Sequence, residues 1–256
     1  MSFTKTDDAG NGPGFFAAEA AGLRWLAEGG LPVVTVHDAG DGHITLERLE
    51  HAAPSAGAAR EFGAALARCH ASGAPGFGAP PAGHDGGLYI GTQPMPAGPG
   101  SDPASWGSFY AANRVLPFVP RARRLGMLTA AAARTVDAAC AKIAAGAFDD
   151  GAAPARLHGD LWSGNVMWTP RGAVAIDPAA HGGHAETDLA MLALFGCPML
   201  GEILRGYETI APLRDGWRDR IPLHQLHPLA VHAAGQGAHY GEALERAARQ
   251  VLALCQ

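Results

Sequence analysis

An aspartate at 160, an asparagine at 165 and an aspartate at 177 stand in the order in which ATP-dependent phosphoryl transfer uses such groups. They sit in Leu157-His158-Gly159-Asp160-Leu161-Trp162-Ser163-Gly164-Asn165 and in Ile176-Asp177-Pro178. In a tight loop, Asp160 can accept the proton of an attacking hydroxyl as general base. Asn165 can offer an amide oxygen to Mg²⁺, and Asp177 can hold the same ion from the other side. Two protein oxygens suit this metal, which keeps several waters and takes phosphate oxygens rather than an all-protein cage.

The chain around these residues must carry a base past an acceptor and bring two ligands to one place. Val166-Met167-Trp168 is apolar, Thr169-Pro170-Arg171-Gly172 has turn chemistry, and Ala173-Val174-Ala175-Ile176 is apolar again. Residues 165–177 therefore read as a hairpin whose open end holds Asn165 and Asp177 together. An Asp-x4-Asn pair alone is commonly turn and cap chemistry. The His-Gly before it and the hairpin and aspartate after it favour the phosphotransfer reading.

At these residues the chain resembles the fructosamine kinase (ketosamine 3-kinase) family, which is similar in fold to aminoglycoside phosphotransferases, choline kinases and protein kinases. Trp162-Ser163-Gly164-Asn165 is that family's wording, where related small-molecule kinases commonly place a second histidine. Asp177-Pro178-Ala179, Gly183-His184-Ala185-Glu186 and Asp188-Leu189-Ala190-Met191 resemble further family blocks, with departures at His181, often Tyr, and Ala185, often Arg. Other matches are Trp106-Gly107-Ser108-Phe109-Tyr110 with Arg114-Val115-Leu116-Pro117, then Leu194-Phe195-Gly196, and the segment from Leu223 to His232. The resemblance spans most of 3–240.

The resemblance implies a two-lobed protein-kinase-like α+β fold: a small N-terminal sheet lobe that binds nucleotide over 1–50, and a larger helical lobe over 51–256. It implies ATP and Mg²⁺ as cofactors and a ketosamine, a fructosamine or ribulosamine, as the small-molecule partner. Lys5 becomes the strand lysine on the nucleotide phosphates and Glu19 the helix glutamate that pairs with it. Residues 46–49 become the hinge, with backbone groups of Glu47 and Leu49 facing adenine. His158 and Asp188 become buttresses of the catalytic loop; for Asp188 a first-turn role on the helix dipole is compatible with that. Trp162 is a candidate substrate wall or a packing residue, and His184 a candidate for shaping the sugar or phosphate site. Kinases of this fold begin with two strands carrying a Gly-rich loop, whereas here two residues precede Phe3-Thr4-Lys5. The expectation is a shortened N-terminal lobe with fewer backbone donors for phosphate. Partial cover by 7–14 or by Gly40-Asp41-Gly42 is the second option, and an inactive nucleotide-binding relative the third. A kinase for another small alcohol, such as an aminoglycoside or a choline-like amine, is the enzyme alternative.

Composition indicates a globular chain of one domain or two lobes. The 256 residues are 48% hydrophobic and 17% charged, enough to bury a sizeable core. A net charge of -5 without a Lys/Arg run argues against a nucleic-acid partner and tolerates a cationic substrate. Cys69, Cys140, Cys197 and Cys255 lie far apart, and with no secretory segment the expectation is reduced thiols in the cytoplasm. No apolar run is long enough to span a bilayer, so no membrane partner is expected. Twelve histidines include His181-x2-His184 and His224-x2-His227, but without cysteine partners hydrogen-bonded roles are favoured over structural zinc.

Period and punctuation lay out the remaining elements. A strand is expected over 3–6, a loop over 7–14, a helix over 15–26 ended by Gly29-Gly30, and strands over 33–36 and 43–46 joined across Gly40-Asp41-Gly42. Ser55 should cap a helix to about Ser72. Residues 73–102, rich in Gly and Pro, read as a long surface excursion. Helices are then expected over 106–123, 129–145, 185–195, 200–210, 217–231 and 240–254.

Overall fold

The computed structural model describes residues 1–7, 10–98 and 105–255. Parts of the expected 7–14 loop and 73–102 excursion therefore lie outside the described residues. Three strands form an antiparallel sheet in the order β1-β3-β2: β1 (Ser2–Thr6), β2 (Val36–Gly40) and β3 (His43–Glu47). Between β1 and β2 runs α1 (Phe15–Glu28), which buries Phe16, Glu19, Ala20, Leu23, Trp25 and Leu26 at helical spacing. Lys5 lies opposite Ile44 in the β1–β3 register.

The strand expected over 33–36 begins only at Val36. Val33 and Val34 are diverted to a distant partner: the Val34 amide donates to the Ala175 carbonyl at 3.0 Å, and the Ala175 amide donates to the Pro32 carbonyl at 2.8 Å. Val33 and Ala175 thereby form a parallel bridge. The small sheet is stitched to the segment that ends in Asp177.

The rest is mainly helical: α2 (Ala56–Ala71), α3 (Trp106–Phe109), α4 (Val119–Arg124), α5 (Ala130–Ala144), α6 (Glu186–Leu194), α7 (Leu200–Glu208), α8 (Ile221–Ala233) and α9 (Ala238–Ala253). The Ser55 hydroxyl caps α2 by accepting from the Ala58 amide at 3.2 Å. The single helix expected over 106–123 is broken into α3, a π turn at Tyr110–Val115, a 3₁₀ turn at Leu116–Phe118 and α4. Pro117 and Pro120 lack the amide hydrogens that a continuous ladder needs. The helix expected from Trp217 starts at Ile221, with proline in its first turn. Inside the long excursion a short hairpin was not anticipated: β4 (Leu88–Ile90) and β5 (Gln93–Met95), turning at Gly91-Thr92 with Gly91 at φ 52°.

α2 and α7 approach until their backbones touch. A Cβ on Gly63 would collide with the Ile203 carbonyl, and one on Gly206 with the Arg60 carbonyl. One core joins α5, α8 and α9 through Val136, Leu226 and Val251; a second joins Phe62, Leu66, Leu189 and Tyr207 to Trp25 and Leu26 of α1. The sheet's own cluster, Phe16, Leu23, Val34, Ile44 and Leu46, is completed by Val174. Among the described residues all four cysteine thiols are unpaired, and no helix is long and apolar enough to cross a membrane.

Candidate active site

Four short strands build the catalytic segment. β6 (Ala155–Leu157) pairs antiparallel with β9 (His181–Gly183), and β7 (Val166–Thr169) pairs with β8 (Gly172–Ala175). The loop after β6 carries Asp160, and the Ser163–Asn165 3₁₀ turn leads into β7. The end of β8 then delivers Asp177, as the Ile176 amide donates to the Asn165 carbonyl at 3.0 Å.

Asn165 Nδ2 donates to the Asp160 carbonyl at 2.8 Å and to Asp160 Oδ2 at 3.1 Å. The carbonyl can only accept, so the amide nitrogen is fixed on this side and Oδ1 is the atom available to a cation. Asp177 holds φ at 54°, in the left-handed region that aspartate enters more readily than most residues. Its Oδ1 accepts from Lys5 Nζ at 2.5 Å, and the same ammonium donates to Glu19 Oε1 at 2.7 Å. Burial opposes the Lys5 charge, but Glu19 and Asp177 outweigh it and hold the ammonium above its ordinary range. The oxygens of Asp177 and Asn165 are hard donors of the kind that suits Mg²⁺.

Burial pushes the Asp160 carboxyl up to about 7; the Asn165 hydrogen bond opposes this, and the charges of Asp177 and Asp188 add to it. A carboxyl in that range is matched to taking a proton near neutral pH. The loop beneath it is held from below. Asp188, wholly buried, accepts from the amides of His158 at 2.8 Å and Gly159 at 2.9 Å and from His70 Nε2 at 3.1 Å. His70 Nδ1 in turn meets the Tyr207 hydroxyl at 2.9 Å. His158 Nε2 lies 2.9 Å from the Ile176 carbonyl and its Nδ1 accepts from the Asp160 amide at 3.2 Å, which assigns the proton to Nε2. Burial lowers this histidine's pKa, in keeping with the neutral ring.

Glycines explain the wording of the loop. Gly159 has φ 80°, and a Cβ there would collide with the Ala179 carbonyl. A Cβ on Gly164 would collide with the Trp162 indole, which folds over it and meets Phe195 edge-on at 5.9 Å.

Two cavities flank Asp177. One, of about 460 Å³, is lined by Lys5, Glu19, Asp160, Trp162, Asn165 and Asp177, together with residues that sequence reasoning missed: Asn11, Phe15, Tyr89 and Thr92. The only signal for the last two is the turn Ile90-Gly91-Thr92-Gln93, a Gly-X pair between short apolar runs. The other, of about 420 Å³, is lined by Phe3, Val34, Leu46, Leu49, Met167 and Ile176, with Glu47 at its edge. The Glu47 side chain turns to Arg171 at 2.6 Å and Thr35 at 3.1 Å. The Glu47 amide donates to Thr35 and the Arg48 amide to Met1, whereas the Leu49 amide has no protein acceptor among the described residues. Asn11, beside Gly12 and Gly14, faces the first cavity; Gly40-Asp41-Gly42 lines neither.

His184, the candidate for shaping the sugar or phosphate site, lines neither of these cavities. It is buried against Trp106 and His224. Its Nδ1 accepts from the Glu186 amide at 3.2 Å, and its Nε2 lies 3.3 Å from Asp150. The structure pairs the histidines differently from their spacing, gathering His184, His224 and Glu186. His224 is engaged by Thr187 at 3.0 Å and Glu186 at 3.4 Å, and Glu186 grips Arg220 at 2.6 and 2.9 Å. The Arg220 guanidinium thus pairs with the carboxylate of this cluster.

The family model described as fructosamine kinase matches residues 1–254. A probable ketoamine kinase of Enterococcus faecium is 32% identical over 91% of this chain and 81% of its own length. A crystal structure of a Thermobifida fusca protein, provisionally named a fructosamine-3-kinase, is 46% identical, with a TM-score of 0.89 over 98% of this chain and 85% of that one. The choline kinase LicA of Streptococcus pneumoniae shares the fold at 16% identity, with a TM-score of 0.62 over 98% and 86% of the two chains.

Proposed function

This chain belongs to the fructosamine kinase family, a family of phosphotransferases, and on that premise we propose that it moves the γ-phosphoryl group of ATP to a sugar hydroxyl of a ketosamine, a fructosamine or ribulosamine, in a deglycation role. The observation that carries this is the meeting of Asp160, Asn165, Asp177 and Lys5 at one cavity. Asp160 takes the hydroxyl proton as the acceptor oxygen bonds to the γ-phosphorus and the bond to the bridging oxygen of ADP breaks. Transfer is direct, without a phosphoenzyme. Lys5, steadied by Glu19, orients the phosphates, and Asn165 Oδ1 and Asp177 are the residues that would hold Mg²⁺. When bound, that ion neutralises charge on the phosphate oxygens. The apolar second cavity takes adenine, with the Leu49 amide as a donor to the base and Glu47 contributing backbone. Asp188, His70 and His158 fix the loop, and Trp162 walls the acceptor side. The unpaired thiols fit a reducing cytoplasmic setting.

Asp160→Asn should lower turnover by roughly 10²- to 10⁴-fold with Mg²⁺-ATP affinity, read by calorimetry, little changed. Near-normal turnover would remove Asp160 as the base. ADP release measured side by side with fructosyl-lysine, ribulosyl-lysine and an aminoglycoside tests the acceptor. Preference for the aminoglycoside would overturn the ketosamine reading, and absence of both nucleotide binding and ADP release would overturn the enzyme.

A further inference from the structure

The β4–β5 hairpin belongs to none of the phosphotransfer motifs, yet it walls the catalytic cavity through Tyr89, Gly91 and Thr92. Its base is fixed to the helical lobe: Leu88, Ile90 and Met95 are buried in the core of α5, α8 and α9, and Gln93 Nε2 donates to the Val231 carbonyl at 3.1 Å. Tyr89 alternates with Leu88 and Ile90 and reaches the other way, to the small lobe. Its hydroxyl donates to the Pro13 carbonyl at 2.9 Å, and its ring stands edge-on to Phe15 at 5.4 Å. It covers Gly12 so closely that a Cβ there would collide with the hydroxyl and lie 2.8 Å from Cε1. Residues 12–15 lead directly into α1, the helix that presents Glu19 to Lys5. The two lobes are thus joined around one cavity by the chain crossing after Glu47 and again by Tyr89.

We propose that Tyr89 is a positioning residue for the acceptor: by clasping 12–15 it holds Phe15 and the Gly91-Thr92 turn at a set separation, so that the acceptor meets a preformed wall. The proposal rests on the reading of this cavity as the phosphotransfer site. An acceptor that binds a wall already ordered avoids the entropic cost of ordering it, and the cost appears in acceptor affinity when the clasp is cut. The adenine, assigned to the second cavity with Leu46, Leu49 and Met167, does not touch the clasp, so nucleotide affinity changes less than acceptor affinity. Gly12 is part of the same device, because only a residue without Cβ lets the ring lie where it does.

The test uses the full chain with Tyr89→Phe, Gly12→Ala, Tyr89→Ala and the double variant Gly12→Ala/Tyr89→Ala. Tyr89→Phe should raise the KM of the best acceptor in the panel about three- to tenfold, the effect of one lost hydrogen bond, while the ATP KM stays within about twofold. Gly12→Ala should raise acceptor KM with Tyr89 present and add nothing once Tyr89 is alanine, since the new methyl then meets no ring. Amide hydrogen exchange over 10–18 and 88–95 should quicken together in Tyr89→Phe. An unchanged acceptor KM in Tyr89→Phe, or a Gly12→Ala effect that persists in full in the Tyr89→Ala background, overturns the clasp. If the best acceptor is not a ketosamine, the ketosamine reading falls and the clasp is judged on that acceptor. If no acceptor is turned over, exchange alone decides, and unaltered protection over 10–18 overturns the proposal.

Discussion

Replacing Asp188 by asparagine should destabilise the enzyme through the catalytic loop that this carboxylate anchors. The carboxylate is 0% exposed and accepts three hydrogen bonds, from His158 N, Gly159 N and His70 Nε2 at 2.8, 2.9 and 3.1 Å. Asparagine has the same shape but one acceptor oxygen, so its amide nitrogen must face a donor. One buried donor left unsatisfied costs about 1–3 kcal/mol, and turning the remaining charge-assisted bonds neutral costs about 1 kcal/mol more, giving about 2–4 kcal/mol at neutral pH. For a chain of 256 residues that is a fall in Tm of roughly 5–15 °C. Burial alone would raise the Asp188 pKa, but the His70 hydrogen bond and charge outweigh it and hold the carboxyl below its ordinary value. A folded-state pKa that is depressed gives stability above the unfolded-state pKa and loses it as pH falls through the lower folded value. The gap between wild-type and Asp188→Asn urea midpoints, followed by tryptophan fluorescence, should therefore be widest near pH 7 and narrow below about pH 4. Midpoints that coincide at pH 7, or a gap that widens in acid, would refute the assignment of Asp188 as the charged anchor of the loop.

Asp160, pushed up to about 7 chiefly by burial, gains its base form as pH rises through that range, so acceptor kcat/KM should rise with pH, break at or below about pH 7, since bound Mg²⁺ would move the break downward, and level above the break; a flat profile contradicts this. The same raised pKa means the buried charge costs stability as pH rises through 7, so Asp160→Asn should be the more stable protein at pH 8 and no more stable below about pH 4, as thermal melts at the two pH values will tell. Gly164→Ala should displace the Trp162 indole, shift its emission and lower acceptor kcat/KM about tenfold; unaltered kinetics would place Trp162 outside the acceptor site. Gly63→Ala should cost about 1–3 kcal/mol in urea unfolding by forcing α2 off the Ile203 carbonyl of α7, and an unchanged midpoint would show that these helices separate freely.

What was legible in the chain was what local chemistry dictates. The Asp160, Asn165 and Asp177 spacing announced a loop and hairpin because turn residues and apolar runs alternate there, and the Ser55 cap and the periods of α1, α2 and α5 were similarly local. Elements set by distant partners were not readable. Val33 and Val34 look like the start of β2, but the flanking Pro32 carbonyl and the Val34 amide bond to Ala175, a residue of the other lobe. The β4–β5 hairpin is three residues a side, too short for a pattern, and its apolar positions are explained only by the core they enter. His184 stands near Asp177 in sequence, yet β9 turns the chain back on β6 and carries it into the interior, where Trp106, Asp150 and His224 surround it. The breaks around Pro117 and Pro120 did have a local signal, the prolines themselves, which helical spacing overrode.

The parallel bridge between Val33 and Ala175 has a consequence for how the protein is made. The strands of the small sheet precede the helical lobe in the chain, yet Val174 of its core and the bonding partner of Pro32 and Val34 are synthesised some 140 residues later. Until the catalytic hairpin follows, Phe16, Ala20 and Leu23 of α1 cover the apolar face of 33–46 without Val174, and the 32–34 edge has no partner. Contacts of such sequence separation form late. The step that completes the sheet's core and its edge is therefore the one that assembles the Asp177 end of the active site.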